Sequence, residues 1–93
     1  MFEQVWQNIK LHEGGVFYTM RGLTLTYKAY FRPGEDGYIS IIREGRLINQ
    51  YLFKSQFEKM YNIQNFKNLS ISSFNDIRGA SYVYAILSDS RIS

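Results

Sequence analysis

Leu23-Thr24-Leu25-Thr26-Tyr27-Lys28-Ala29-Tyr30-Phe31 alternates without a break, Leu23, Leu25, Tyr27, Ala29 and Phe31 at one parity and Thr24, Thr26, Lys28 and Tyr30 at the other. Successive side chains of a strand point to opposite faces, so this stretch predicts a half-buried strand, oily on one side and wet on the other. Residues 17–20 form a shorter strand before it, joined across Arg21 and Gly22. Pro33, Gly34, Glu35, Asp36 and Gly37 are a run of turn formers, after which residues 38–43 and 47–51 read as a hairpin turning at Glu44 and Gly45. The result is a four-stranded antiparallel meander.

Helices flank it. Phe2, Val5, Trp6 and Ile9 fall at i, i+3, i+4 and i+7, the stripe of a first helix that Gly14 and Gly15 would end. Ser55-Gln56-Phe57-Glu58 has the spacing of a capping box, predicting a second helix with Phe57, Met60 and Tyr61 facing inward. Residues 62–75 are polar and weakly patterned, a long connection with one turn of helix. Val83, Ile86 and Leu87 share one face of a last helix over residues 80–88, flanked by Tyr82 and Tyr84, introduced by Gly79 and capped by Ser81. The fold class expected is α+β: the meander packed by an N-terminal helix, a helix after the sheet and a C-terminal helix.

Composition limits what such a chain can be. Its 93 residues suit one domain, residues 1–93, with a single modest core. A hydrophobic content of 45%, with 17% aromatic, is far above that of a disordered chain. Without cysteine there are no disulfides and no thiolate metal sites, which makes the cytoplasm the expected compartment. No apolar run approaches the roughly 20 residues a membrane span needs, and Glu3 stands where a signal peptide would carry base. Neither membrane insertion nor export is expected.

Catalytic patterns are absent, and no enzyme activity, cofactor or metal is expected. His12 is the single histidine, and a metal centre needs about three protein ligands, so it reads as a surface residue suited to a helix C-terminus. The acids are mostly placed for structure, with Glu35 and Asp36 in a loop, Glu44 in a hairpin turn and Glu58 in the capping box. Gly14, Gly15 and Gly22 match neither the phosphate loop nor the dinucleotide fingerprint.

The charge lies in the middle. Residues 17–67 hold eight Lys or Arg against four acids, and the two ends contribute none of the excess of +3. Arg21, Lys28, Arg32, Arg43, Arg46 and Lys54 lie on or beside the predicted strands, with Lys28, Tyr30 and Arg32 sharing a face by alternation and Arg21 and Arg46 at turns. Bases interleaved with aromatics point to a surface that tracks phosphates while Tyr30 or Tyr38 stacks on unpaired bases. That reading requires these side chains to converge on one face. A solvated sheet face with ordinary charges would carry the same residues. Tyrosine also serves protein interfaces, so a protein-interaction or homodimerisation module is the alternative.

Lys54-Ser55-Gln56-Phe57-Glu58-Lys59 and the segment from Gly79 through Ser81-Tyr82-Val83-Tyr84-Ala85-Ile86-Leu87 to Asp89, Arg91 and Ile92, with Trp6, Ile9, His12, Phe17, Thr19, Gly22, Thr26 and Tyr27 upstream, resemble an uncharacterised family of small bacterial and phage domains. The resemblance spans nearly the whole chain, with Ala80 where it implies proline. It implies a bacterial or phage origin, and no activity or catalytic residue.

Overall fold

A computed structural model describes all residues from Met1 to Ser93. The alternating stretch forms β2 (Thr24–Tyr30), flanked by β1 (Phe17–Tyr18) and β3 (Tyr38–Arg43), with β4 (Arg46–Phe53) last. The four strands pair antiparallel in the order β1-β2-β3-β4, the predicted meander. Helices α1 (Phe2–Leu11), α2 (Lys54–Tyr61) and α3 (Ala80–Leu87) pack on it, giving the α+β class the patterns predict. No helix is long and apolar enough to cross a membrane.

All three helices cover one face. From that face Leu25, Tyr27, Ile39, Ile41 and Leu52 enter the core and meet Trp6 and Ile9 of α1, Phe57 and Met60 of α2, and Val83, Ile86 and Leu87 of α3. Fully burying each large apolar side chain contributes roughly 1.5–3 kcal/mol, so this one layer of contacts carries most of the folding free energy. The Trp6 indole N–H donates to the Asp36 carbonyl at 3.0 Å, which satisfies a buried donor and holds the β2–β3 loop against α1.

The short β1 leaves most of one β2 edge uncovered. The residues just before it complete the edge: the Gly14 N–H donates to the Tyr27 carbonyl at 2.9 Å, and the Glu13 carboxylate accepts the Ala29 N–H at 2.9 Å. At the far edge β4 bulges. Ser40 pairs with Tyr51 and Ile42 with Leu47, so Ile48, Asn49 and Gln50 stand opposite the single Ile41. The β3–β4 hairpin turns at Glu44 and Gly45, whose φ values of 53° and 76° suit a two-residue turn of the primed type.

Several expected details shift. Helix α2 begins at Lys54 directly from β4, so its N-cap is Phe53 rather than Ser55. The Gln56 carboxamide, not Glu58, reaches back to accept the Phe53 N–H at 2.8 Å, because Gln56 is the third residue of the earlier-starting helix. Ser81 caps nothing; Gly79, at φ 70°, is the N-cap of α3, and a Cβ there would lie 2.7 Å from Leu52 Cδ2. Leu23 and Phe31, the ends of the alternating run, fall outside β2 and are about half exposed. Residues 62–75 contain two 3₁₀ turns, Phe66–Asn68 and Ile71–Phe74, anchored by buried Phe66 and Phe74.

After α3 the chain folds back on the start of the sheet. The Arg91 guanidinium donates to Asp89 at 2.8 and 2.9 Å and to the Val16 carbonyl at 2.6 Å, and lies 4.2 Å from the centre of the Phe17 ring. That hydrogen-bonded ion pair holds the Asp89 carboxyl below its ordinary value. A carboxylate whose folded pKa is depressed adds stability that is present above the unfolded value and lost as pH falls through the folded one. Asp89→Asn should therefore be less stable than the parent near about pH 7, with the gap closing toward about pH 2, as read by urea melts across that range.

Candidate functional site

The bare face of the sheet is built by the parity opposite to the core. Cross-strand partners share a face, so Tyr18, Thr24, Thr26, Lys28 and Tyr30 lie beside Tyr38, Ser40 and Ile42, and these beside Leu47, Tyr51 and Phe53. Four rings form a continuous group at one end. Tyr30 stacks on Tyr38 with centroids 5.2 Å apart, Tyr51 meets Tyr38 edge-on at 5.7 Å, and Phe53 is tilted against it at 5.8 Å. Tyr38 is the hub. Lys28 Nζ sits 5.4 Å from the centre of the Tyr30 ring.

Tyr51 and Phe53 are 49% and 50% exposed, so half of each large ring is available to a partner. Ser40, in register with both Lys28 and Tyr51, is buried between these neighbours. Lys28 is the one charged residue among the strand positions of this face, and Glu44 of the β3–β4 turn stands at the end away from the rings, lining a hollow with Thr24, Thr26 and Ile42. At the ring end the surface is aromatic and cationic, and can stack flat π systems that carry nearby anions.

The eight residues singled out from the sequence divide among three places. Lys28, Tyr30 and Tyr38 come together on the aromatic face. Arg43 does not join them, because Ile39 and Ile41 of the same parity enter the core; its guanidinium lies on the helix side and donates to the Tyr82 hydroxyl at 3.3 Å. Arg46 is the first residue of β4 and pairs across from Arg43, while Arg21 is exposed in the β1–β2 turn. At the opposite end of the sheet Arg32 follows β2 into the loop, off the Lys28–Tyr30 face, beside Lys10, Glu35 and Asp36.

Lys54 is committed to structure. Its ammonium contacts Glu3 at 2.6 Å and Asp36 at 3.2 Å, tying α1, the β2–β3 loop and the start of α2 together. The hydrogen bond to Glu3 raises its pKa. His12 is engaged locally, its Nδ1–H donating to the Asn8 carbonyl at 2.8 Å at the end of α1. The six cations are thus spread over both faces and both ends of the sheet, and the convergence on one face that a phosphate-tracking surface requires is not met.

Sequence reasoning missed Tyr51 and Phe53. Their parity was available: a hairpin turning at Glu44 and Gly45 leaves odd-numbered residues of β4 on the face of Tyr38, provided the intervening bulge adds an even number of residues, as it does. No family model, curated protein or solved structure matches this chain.

The aromatic hub carries a measurable share of stability. Each aromatic pair contributes about 0.5–1.5 kcal/mol beyond area burial. Tyr38→Ala, which breaks three such contacts, should cost about 2 kcal/mol or more, and Tyr51→Ala, which breaks one, about 1 kcal/mol, as measured by urea denaturation.

Proposed function

We propose that this domain is a non-catalytic binding module that holds single-stranded nucleic acid on the bare face of its sheet. The observation that carries the reading is the contiguous group of Tyr30, Tyr38, Tyr51 and Phe53, with Lys28 beside it. Unpaired bases present flat π faces that stack on such rings at about 1–3 kcal/mol each. The scatter of the cations argues against tracking a duplex, which requires a line of bases matched to two phosphate backbones. A strand laid on the rings needs only local neutralisation, which Lys28 supplies. The absence of cysteine favours a cytoplasmic setting.

One observation favours a second reading. Tyr18 and Leu47 extend the exposed apolar area toward the other end of the same face, each 61% exposed, and a sheet face this poor in charge also suits a protein partner, including a second copy of the chain.

Fluorescence anisotropy with labelled single-stranded and duplex oligonucleotides over a salt series separates these. Preference for single strands is expected, with a shallow log–log salt slope of about −1 to −2, since few phosphates are neutralised. Tyr51→Ala combined with Phe53→Ala should weaken binding about 10-fold or more while the fold remains intact by circular dichroism. Absence of binding at low salt, together with association in sedimentation that the same double variant abolishes, would replace the nucleic acid reading with the self-association one.

A further inference from the structure

We infer that the cleft between the β1–β2 turn and the first turn of α3 is a binding site for a phosphate monoester. The cleft holds about 390 Å³ and is lined by Thr19, Met20, Arg21, Leu23, Arg43, Ile71, Ser81 and Tyr82. It opens at the end of the sheet on the helix side, away from the aromatic face, and does not depend on what that face binds.

Its electrostatics are one-sided. Two arginines line it and no carboxylate does. Arg46 stands directly across from Arg43 in the β3–β4 pair, an arrangement of like charges that destabilises a sheet unless something neutralises it. Nothing in the chain does so: the four ion pairs of the molecule involve Lys54, Lys59 and Arg91, and none of Arg21, Arg43 or Arg46. Glu44, in the turn between Arg43 and Arg46, pairs with neither. A bound dianion would relieve this repulsion.

The polar groups suit phosphate in particular. Arg43 spends one N–H on the Tyr82 hydroxyl at 3.3 Å, leaving the rest of a fork that matches two phosphate oxygens. By accepting that bond, the Tyr82 hydroxyl keeps its own proton for a further acceptor, and Ser81 offers a second hydroxyl on the same wall. Arg21, on the exposed turn, reaches the same space from the opposite side. The remaining wall, Met20, Leu23 and Ile71, is apolar and gives an organic body attached to the phosphate a surface to cover. A volume of about 390 Å³ exceeds that of a bare ion and suits a small ester. The ester can be a free small molecule or the 5′-phosphate at the end of a nucleic acid strand.

The test uses the whole domain, nitrogen-15 labelled, titrated at constant ionic strength with adenosine 5′-monophosphate, adenosine and inorganic phosphate. The monophosphate should shift the amides of Leu23, Ser81 and Tyr82, with phosphate weaker and adenosine inert. Arg43→Gln and, as an exposed change that leaves the core untouched, Arg21→Gln should each raise the dissociation constant about 10-fold, the loss expected for a charge-assisted contact. Lys67→Gln, an exposed loss of the same charge outside the cleft, should leave it unchanged, which separates a contact in the cleft from a general loss of positive charge. Equal shifts from adenosine and its monophosphate, wild-type affinity in both arginine variants, or no shift at these amides up to about 10 mM ligand would overturn the assignment. A 5′-phosphorylated oligonucleotide that binds more tightly than both the mononucleotide and its 5′-hydroxyl counterpart identifies the strand end as the source; equal affinity for mononucleotide and phosphorylated strand identifies the free ester.

Discussion

The Tyr27 hydroxyl, buried at the centre of the molecule, donates to the Ile9 carbonyl at 2.5 Å, and the arrangement of the helix side follows from that bond. The last carbonyls of a helix lack the full set of partners inside it, and here the Ile9 carbonyl, which also takes the His12 N–H at 3.3 Å, gains a shorter bond from a side chain of the sheet. The position and tilt of α1 are thereby set against β2. Burial drives the Tyr27 pKa well above that of an ordinary phenol, so the hydroxyl keeps the proton it donates at pH values where an exposed tyrosine would lose its own. With α1 placed, Trp6 reaches the Asp36 carbonyl, Glu3 reaches Lys54, and Asn8 donates to the Ile92 carbonyl at 3.0 Å.

Because the helices occupy one face only, strand parity distributes the chemistry of the chain. Even-numbered positions of β2 and β3 carry Lys28, Tyr30, Tyr38 and Ser40 outward, whereas Tyr27, Ile39, Ile41 and Arg43 turn inward. Arg43 emerges from the helix side only because it ends its strand, where the core gives way to the start of α3. The aromatic rings and the unpaired arginines are therefore separated by the thickness of the sheet, although they alternate along the chain.

The sheet was legible because its signals are local. The alternation of residues 23–31 and the Glu44-Gly45 turn each specify geometry within a few residues. The start of α2 was less so: Ser55 and Glu58 have the right spacing for a cap, but β4 runs straight into the helix and moves the cap to Phe53. Phe66 and Phe74 gave no periodic signal, since 3₁₀ turns are too short to show one, and only their burial against Tyr84 reveals that the connection belongs to the core. The candidate surface was half legible. Tyr30 and Tyr38 follow from alternation within single strands, but the separation of Arg43 from Lys28 depends on counting parity across two strands, and the commitment of Lys54 depends on Glu3, which is distant in sequence.

The meander has a kinetic consequence. Every strand pairs with its neighbour in sequence, so the whole sheet can assemble through short loops whose closure costs little entropy. The contacts that lock it are of the other kind: Asn8 to Ile92 joins the two extremes of the chain, and Arg91 to Val16 spans nearly as much. Interactions closing such long loops are favoured only after the intervening chain is ordered. The hairpins are therefore the expected nucleus, and the docking of α1 beside the residues that follow α3 is expected late, as an interaction that slows unfolding more than it speeds folding.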